Sequence, residues 1–201
     1  TTLVAGSNDI TLDTSTNNFA TVVITSGRNV ALRDAGAIVL GAATVSGTYS
    51  VTAGGHITDN DTQEIAGVTT LVAGSNDITL DTSTNNFAAA VVITSGRNVA
   101  ITDEAAIILG AATVSGTYAV TATTGDISNS GDLEITGAAI FKTTAADSNI
   151  ILDQSGNVFT STVTMQAGDG SEDFGNITFV DSAAVRLHTS AQSAGDLYIN
   201  A

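Results

Sequence analysis

The chain has 201 residues, of which 20 are acidic and 5 are basic, so its formal net charge is −15. This balance argues against nucleic acid and anionic membranes as partners, because both are bound through clustered Lys and Arg. The absence of Cys excludes disulfides and thiolate metal sites, and no run of 18 apolar residues is available to cross a membrane.

The composition predicts strands joined by tight turns. Hydrophobic residues make up 43% of the chain but aromatic residues only 4%, and there are 20 Gly and no Pro. Val, Ile and Thr favour strands, whereas Gly, Asn and Asp favour the turns between them. We therefore expect an all-β fold.

The sequence repeats itself with a period of 68 to 70 residues. Three blocks recur without change: Thr1–Ala20 as Thr69–Ala88, Ile24–Ala31 as Ile93–Ala100, and Leu40–Tyr49 as Leu109–Tyr118. Such a period is typical of architectures in which each unit stacks on the next. We interpret residues 1–201 as a single β-solenoid with long repeats 1–68 and 69–138 and a divergent third unit, 139–201.

A shorter period of about 20 to 22 residues lies inside the long one. A first strand, which usually ends in a small residue, recurs at Leu3–Gly6, Val23–Gly27, Ser50–Gly54, Leu71–Gly74, Val92–Gly96, Ala119–Ala122, Phe141–Ala145 and Thr164–Gly168. A second strand, with apolar residues two apart, begins at Asp9, Asn29, His56, Asp77, Asn98, Asp126, Asn149 and Asn176. A third strand holds Phe19, Ile38, Ile65, Phe87, Ile107, Leu133, Phe159, Val185 and Leu197. We count three such coils per long repeat and treat LGAATVSGT as an insertion.

This spacing predicts the architecture. Apolar residues two apart lie on one face of a strand, and a coil of three short strands can bury that face only against its neighbours. We expect a right-handed parallel β-helix, a β-solenoid with three short strands per coil and about 8–9 coils. A β-sandwich is the rival fold, but the Asn-Gly and Asp-Gly turns of antiparallel hairpins are scarce here.

Equivalent positions of successive coils should form columns. One aliphatic column is expected to contain Leu3, Ile24, Val51, Leu71, Ile93 and Val120. The polar residues that begin the second strands should form one hydrogen-bonded column at a corner, in which His56 replaces Asn or Asp. Phe19, Phe87 and Phe159 are expected to fill the core, and Tyr49 and Tyr118 to cover a protruding corner.

The units TLVAGSNDITLD, NNF, VVITSGRNVAL and AIVLGAATVSGTYSVTAGGHITDN resemble the repeats of giant filamentous-haemagglutinin-like secreted bacterial proteins. The resemblance extends from Thr1 to about Phe141. It implies a β-helical surface adhesin or exoprotein filament, exported by a two-partner or autotransporter route and located outside the cell or on its surface. It implies no catalytic residues.

Carboxylates are the principal candidates for a metal site. Seven of them end the second strands: Asp13, Asp34, Asp59, Asp81, Asp103, Asp153 and Asp181. Stacked one coil apart, they would repel one another unless a weakly bound Ca²⁺ lay between them. The competing interpretation is that each Asp caps a turn by accepting backbone N–H groups. A second Ca²⁺ candidate is the acidic loop with Asp169, Glu172 and Asp173, which a solvated turn would also explain.

The other chemically active residues are few. His56 and His188 are the only histidines, and neither has a nearby Cys or second His in the sequence. Arg33 could balance the charge of the adjacent Asp34. None of these residues forms a recognisable catalytic motif.

The resulting hypothesis is a structural or adhesive repeat module of a long extracellular bacterial fibre or surface protein, with no enzymatic activity. Its partners would be further copies of itself, neighbouring repeats of the same protein stacked head-to-tail, or surface glycans. No cofactor would be required, although Ca²⁺ could bind. The alternative is a β-helical polysaccharide-binding or polysaccharide-degrading protein. Ice binding through a flat Thr array is disfavoured, because Ala and Ile interrupt the Thr column.

Overall fold

Every regular element that the structure describes is a β-strand. The computed structural model describes residues 1–169, 175–183, 186–187 and 196–200, with the backbone alone at Arg186. Its strands are β1 (Thr2–Val4), β2 (Ile10–Leu12), β3 (Thr21–Gly27), β4 (Val30–Asp34), β5 (Ile38–Val45), β6 (Tyr49–Ala53), β7 (Ile57–Asp59), β8 (Gln63–Ile65), β9 (Thr69–Val72), β10 (Ile78–Leu80), β11 (Asn86–Phe87), β12 (Val91–Gly96), β13 (Val99–Asp103), β14 (Ile107–Val114), β15 (Tyr118–Ala122), β16 (Ile127–Asn129), β17 (Leu133–Ile135), β18 (Ala139–Thr143), β19 (Ile150–Leu152), β20 (Val158–Phe159), β21 (Thr162–Gln166), β22 (Ile177–Val180), β23 (Arg186–Leu187) and β24 (Leu197–Asn200).

The strands form two 12-stranded parallel sheets. The first sheet has the order β1-β3-β5-β7-β10-β13-β15-β18-β21-β23, and the second has the order β2-β4-β6-β9-β12-β14-β16-β19-β22-β24. The chain passes from one sheet to the other and back in every coil, and the sheets enclose one hydrophobic core. The predicted parallel β-solenoid is therefore confirmed, with about 9 turns.

Alternation of side chains explains why these segments form strands. In β4, Val30 and Leu32 are buried between the sheets, while Ala31 and Arg33 face outward. Stacking by one coil repeats this arrangement, since Val30 pairs with Tyr49 and Leu32 with Val51. Each coil therefore covers the apolar face of the one before it.

Some coils carry a third, short strand on one side. Residues 38–40 of β5 pair with β7, whereas residues 43–45 pair with β8, so one long strand is followed by two short ones. We call the stack of residues 43–45, β8 and β11 the first ledge. The second ledge consists of residues 112–114 with β17 and β20. A coil thus contains three strands beside the ledges and two elsewhere.

The long repeat spans three and a half coils. From β2, three pairings lead through β4 and β6 to β9 in the second sheet, and the chain then crosses to β10 in the first sheet. Yet β2 and β10 have the same sequence, ITL. The expectation of three coils was wrong, because β5 and β14 are strands in their own right and not insertions. Successive long repeats are consequently turned by half a coil relative to each other.

The expected aliphatic column is divided between the two sheets. Leu3 pairs with Ile24 in the first sheet, whereas Val51 pairs with Leu71, and Leu71 with Ile93, in the second. Val120 lies in the first sheet, between Ile101 and Phe141. Equivalent residues of the two long repeats therefore lie on opposite sides of the core.

Aromatic side chains stack inside the second half of the solenoid. Tyr118, Phe141, Phe159 and Phe179 follow one another with ring centroids 5.8, 6.0 and 5.3 Å apart. Phe87 and Phe159 are buried as expected, and Phe19 packs against the core. The expectation for Tyr49 and Tyr118 was wrong: both are buried, because each begins a strand at an inward position.

One turn carries a strained residue. Asp147 has φ 57°, whereas Gly6 and Gly74 occupy the same left-handed region in turns of the earlier coils. Replacing Asp147 by Gly should raise the free energy of unfolding by roughly 0.5 kcal/mol, since relief of strain outweighs the greater freedom of Gly in the unfolded chain. Urea unfolding measures this. Gly74→Asp is the matched control and should have the opposite sign, because its φ is 59° and a Cβ there would meet nothing within 4 Å.

Candidate functional site

Three buried aspartates form a motif that recurs along the rod. Asp34, Asp103 and Asp181 are 2%, 0% and 5% exposed, and we call them the capping aspartates. Asp103 accepts the backbone N–H of Phe87 at 2.7 Å and that of Ala105 at 2.7 Å. Asp34 accepts the N–H groups of Phe19 and Gly36, and Asp181 accepts those of Phe159 and Ala183.

Two of the capping aspartates, Asp103 and Asp181, complete the hydrogen bonding where a ledge ends, whereas Asp34 accepts the N–H of Phe19 outside the ledges. Phe87 in β11 and Phe159 in β20 belong to the last strands of the two ledges, so no further strand pairs with them in the described residues. Their N–H groups, which a strand of the next coil would otherwise accept with a backbone carbonyl, donate to the Asp carboxylate of that coil instead. This arrangement satisfies the backbone N–H groups at the end of the ledge. It also keeps that edge from pairing with other chains, which an exposed strand edge favours.

An asparagine beside each Phe supports the same turn. The side-chain oxygen of Asn85 accepts the N–H of Gln63 at 2.9 Å, and its carbonyl oxygen accepts the N–H of Glu104 at 2.6 Å. Asn157 accepts the N–H of Leu133 at 3.0 Å in the second ledge. The segments around Asn85 and Asn157 therefore tie each ledge to the coils on both sides.

Burial raises the pKa of two carboxyls, that of the capping aspartate Asp103 and that of Asp59. Loss of hydration raises the pKa of Asp103 to about 6, and the nearby carboxylates of Glu104 and Glu64 act in the same direction. Desolvation also raises the pKa of Asp59, although hydrogen bonds, among them one from Asn85 at 2.6 Å, oppose this effect. The Asp103 carboxylate therefore holds its backbone donors at neutral pH and takes up a proton on mild acidification.

The seven carboxylates proposed for Ca²⁺ do not form one column. Asp59, Asp81 and Asp103 follow strands of the first sheet, whereas Asp13, Asp34, Asp153 and Asp181 follow strands of the second. Asp13, Asp81 and Asp153 are exposed, while the capping aspartates point inward. Alternation gives the reason, because Asp34 lies two residues after the inward Leu32 and Asp13 only one residue after Leu12.

Ca²⁺ binding stays a prediction for these residues. In residues 1–169 and the described segments beyond them, no group of three or more His, Cys, Asp or Glu side chains could hold a metal ion. Asp169, from the second candidate, is exposed, and Glu172 and Asp173 lie outside the described residues. For the capping aspartates, the geometry supports the competing interpretation of turn capping.

The expected polar column exists as three separate ladders. In the first, Asp9 accepts the N–H of Asn29, and Asn29 accepts the N–H of Thr48. The second contains His56, Asp77, Asn98 and Thr117. The third contains Asp126, Asn149, Asn176 and Asp196. His56 does replace Asn in a ladder, where its Nδ1 accepts the N–H of Asp77 at 3.1 Å; His188 lies outside the described residues.

Two ion pairs, not anticipated from the sequence, reinforce these ladders. The guanidinium of Arg28 binds both carboxylate oxygens of Asp9, at 2.8 and 3.0 Å, and Arg97 binds Asp77 in the same way. Arg28 lowers the pKa of Asp9 to about 2, and Arg97 lowers the pKa of Asp77 further still. The repeated Asp-to-Arg spacing of one coil was the available signal. The expected pairing of Arg33 with Asp34 was wrong, since the two side chains lie on opposite faces of β4.

The two ledges test the role of charge at one position. Asp59, just before the first ledge strand β8, accepts the N–H of Asp81, and Asn129, its counterpart before β17, accepts the N–H of Asp153. Asp59→Asn should therefore leave the free energy of unfolding within about 1 kcal/mol at pH 7, because an amide oxygen can keep that bond. Asp59→Ala, which cannot, should cost about 1–3 kcal/mol. Urea unfolding of both variants measures the difference; equal losses would contradict this role.

One shallow groove lies at the second ledge, and another lies along β4 and β6. One groove of about 270 Å³ is lined by Glu134, Ile135, Thr136, Val158 and Thr160. Another, of about 230 Å³, includes Arg33, Ser15 and Thr52. The first has a single carboxylate among its described lining residues, whereas glycoside hydrolysis normally takes two. Both grooves are lined by hydroxyl groups together with charged side chains, Glu134 in the first and Arg33 with Asp34 in the second.

A family model described as "Repeats of unknown function (DUF5649)" matches residues 1–26, 27–94 and 96–166, and so covers most of the chain. No curated protein matches the sequence, and no solved structure does. In the described part of the chain, no helix could span a membrane. The matches at 27–94 and 96–166 are 68 and 71 residues long, close to the period of the sequence. The expected long repeats 1–68, 69–138 and 139–201 stay a prediction.

Proposed function

Because the chain belongs to the family of DUF5649 repeats, we propose that it is a structural and adhesive module of a longer β-solenoid, which projects from a bacterial surface as part of an extracellular fibre. Further repeats of the same protein are its axial partners. The module lengthens the rod and exposes the lateral surfaces of the rod to binding partners. It requires no cofactor and performs no catalysis.

The observation that carries this proposal is the continuity of the stack. Parallel pairing continues through the first sheet from β1 to β23 and through the second from β2 to β24, over a single core. Such a stack gains stability from each added coil and has no intrinsic length limit. The same ladders and caps recur along the chain, so most of the sequence serves to stack one coil on the next, as an extended rod requires.

An extracellular location is supported by the resemblance of the repeats to filamentous-haemagglutinin-like proteins. The net charge of −15 and the absence of Cys are compatible with that setting. Antibodies against the chain should label intact cells of the source organism. Labelling only after lysis would contradict the proposed location.

Insertion of a repeat tests the structural role directly. A second copy of residues 27–95, placed before residue 96, should lengthen the rod by about 17 Å, since three and a half coils rise by about 4.8 Å each. Small-angle X-ray scattering measures the maximum dimension. A 69-residue Gly/Ser insertion at the same point is the control and should add disorder without an ordered rise. Equal behaviour of the two insertions would refute the modular role.

The alternative function is polysaccharide binding or degradation, and the groove beside Glu134 favours its binding form. Hydroxyls of Thr136 and Thr160 and one carboxylate could contact sugar hydroxyls there. Glycan-array binding that is lost in Glu134→Gln but kept in Glu64→Gln would support this alternative. Release of reducing ends from a polysaccharide panel would overturn the non-enzymatic proposal.

A further inference from the structure

The outward side chains of the first sheet form one continuous row without charge. Register pairs each member with the next through seven coil steps, and the row consists of Thr21, Val39, Thr58, Thr79, Ala100, Ala119, Ile140 and Thr164. Ile140 is 49% exposed. The row therefore presents methyl and hydroxyl groups along most of the rod.

The second sheet has two shorter rows of the same kind. One contains Thr11, Ala31, Ser50, Thr70 and Val92, and the other contains Ile108, Ser128, Ile151, Thr178 and Tyr198. Neither holds a charged residue. We call these rows, together with the row of the first sheet, the broad faces.

Acidic side chains are excluded from the broad faces. In the described strands the acidic residues are Asp34, Asp59, Glu64, Asp103 and Glu134; the two capping aspartates among them point inward, Asp59 ends its strand, and the two glutamates lie on the ledges. The other acidic residues that the structure describes lie in the turns. Apart from the buried capping aspartates, the acidic side chains of the described residues thus lie at the edges of the rod.

Cations stand beside the broad faces instead. Arg33 lies in the outward column next to Thr52, and Lys142 lies in the column with Thr121 and Gln166. Within the described residues neither forms an ion pair, whereas Arg28 and Arg97 both do. The cations near the faces of one rod are therefore complementary in charge to the acidic turns at the edges of a neighbouring rod.

The half-coil rotation presents related faces on both sides. Thr11 and Ala31 of the second sheet correspond in the long repeat to Thr79 and Ala100 of the first. A surface that is repeated on opposite sides of a rod can be used by a neighbour on each side.

We propose that the broad faces are a lateral docking surface for a second copy of this chain. Two rods pack face to face through their uncharged rows, and Arg33 and Lys142 reach the acidic turns of the neighbour. This goes beyond the proposed function, which concerns stacking along the axis. Lateral packing would join rods into bundles.

The area of the broad faces determines how strongly two rods are expected to pair. A row of eight coils is roughly 35–40 Å long, and five-residue strands are roughly 17 Å wide, so one face offers about 600 Å². Standard interfaces use about 800 Å² per partner. Pairing of this chain should therefore be weak, seen at high protein concentration, and stronger in added salt because the acidic edges repel.

Sedimentation velocity of the whole chain at increasing concentration and salt is the first test. The face variant carries Ala31→Glu, Thr70→Glu, Thr79→Glu and Ala119→Glu. The control carries the same four charges on exposed turn serines, as Ser7→Glu, Ser15→Glu, Ser75→Glu and Ser83→Glu. We expect the face variant to weaken association at least about tenfold more than the control. Circular dichroism verifies that both retain the fold.

Cross-linking identifies the surface independently, since the chain has no Cys. Ala100→Cys, near the middle of the row in the first sheet, should form disulfide-linked dimers on oxidation, whereas Ser83→Cys should not. Scattering of the cross-linked species should show a thicker cross-section at unchanged length. A strictly monomeric chain, equal effects of the face and control charges, or dimers that are longer but not thicker would overturn the proposal. Longer dimers would leave axial stacking intact.

Discussion

Replacing Phe141 by Ala is expected to lower the free energy of unfolding by about 3–5 kcal/mol. Phe141 is fully buried, and its ring makes edge contacts with Tyr118 at 5.8 Å and Phe159 at 6.0 Å. Truncation removes both contacts and leaves a cavity that the two flanking coils cannot close, because their hydrogen-bonded register fixes the strand spacing.

The control for this variant is provided by the chain itself. Leu71 occupies the equivalent position in the preceding long repeat, so Phe141→Leu should cost less than about 2 kcal/mol. Urea unfolding measures both variants. Stability in a solenoid depends on neighbouring coils, so amide exchange should accelerate most in β15, β18 and β21. An unchanged urea midpoint for Phe141→Ala would show that the aromatic stack does not hold these coils together.

Replacing Asp103 by Ala should destabilise the fold by about 2–4 kcal/mol at pH 7. The change leaves the N–H groups of Phe87 and Ala105 without their acceptor, and Phe87 is fully buried at the end of the first ledge. We expect the loss to be local, with faster amide exchange in β11 and β8. Protection that remains as in the original chain would contradict the capping role.

Asp103 also gives the fold a pH dependence with a defined sign. Its pKa is about 6 in the folded chain and 3.8 in the unfolded chain, so between these values the folded state binds more protons. Stability should therefore increase through this group as the pH falls from 7 towards 4.5. Asp9 and Asp77 act oppositely: their pKa values are lowered, so their contribution is present above pH 3.8 and lost as the pH falls further.

Asp103→Asn separates these effects. The amide keeps one acceptor but cannot be ionised, so the difference in unfolding free energy between the original chain and this variant should change by on the order of 2 kcal/mol between pH 7 and 4.5. Urea unfolding at several pH values measures the difference. A constant difference across this range would rule out titration of Asp103.

Alternation predicted most of the inward residues, but not the sheet to which each strand belongs. The pattern in Val30, Leu32 and Asp34 shows which side chains face inward; it does not show that the next inward strand is Ile38–Val45. That strand bends past a corner, and its register with β3 shifts at the bend. Gly41 permits this close approach, since a Cβ there would lie 2.7 Å from Val23. Such bends depend on three-dimensional packing, which strand periodicity does not encode.

The capping aspartates could have been recognised from the same alternation. Each lies two residues after an inward apolar side chain, namely Leu32, Ile101 or Phe179. Their partners could not, because the distance from Phe87 to Asp103 is 16 residues but that from Phe159 to Asp181 is 22. Turn lengths that vary between coils hide this pairing from any fixed sequence spacing.

One long repeat spans three and a half coils. Whether the number of repeats is odd or even therefore decides to which side of the rod the loops beyond them point. Gain or loss of a single copy by recombination would reverse the direction in which every distal loop points, whereas gain or loss of two copies would preserve it. An array of such units could therefore vary in length in pairs without altering which side it offers to its surroundings.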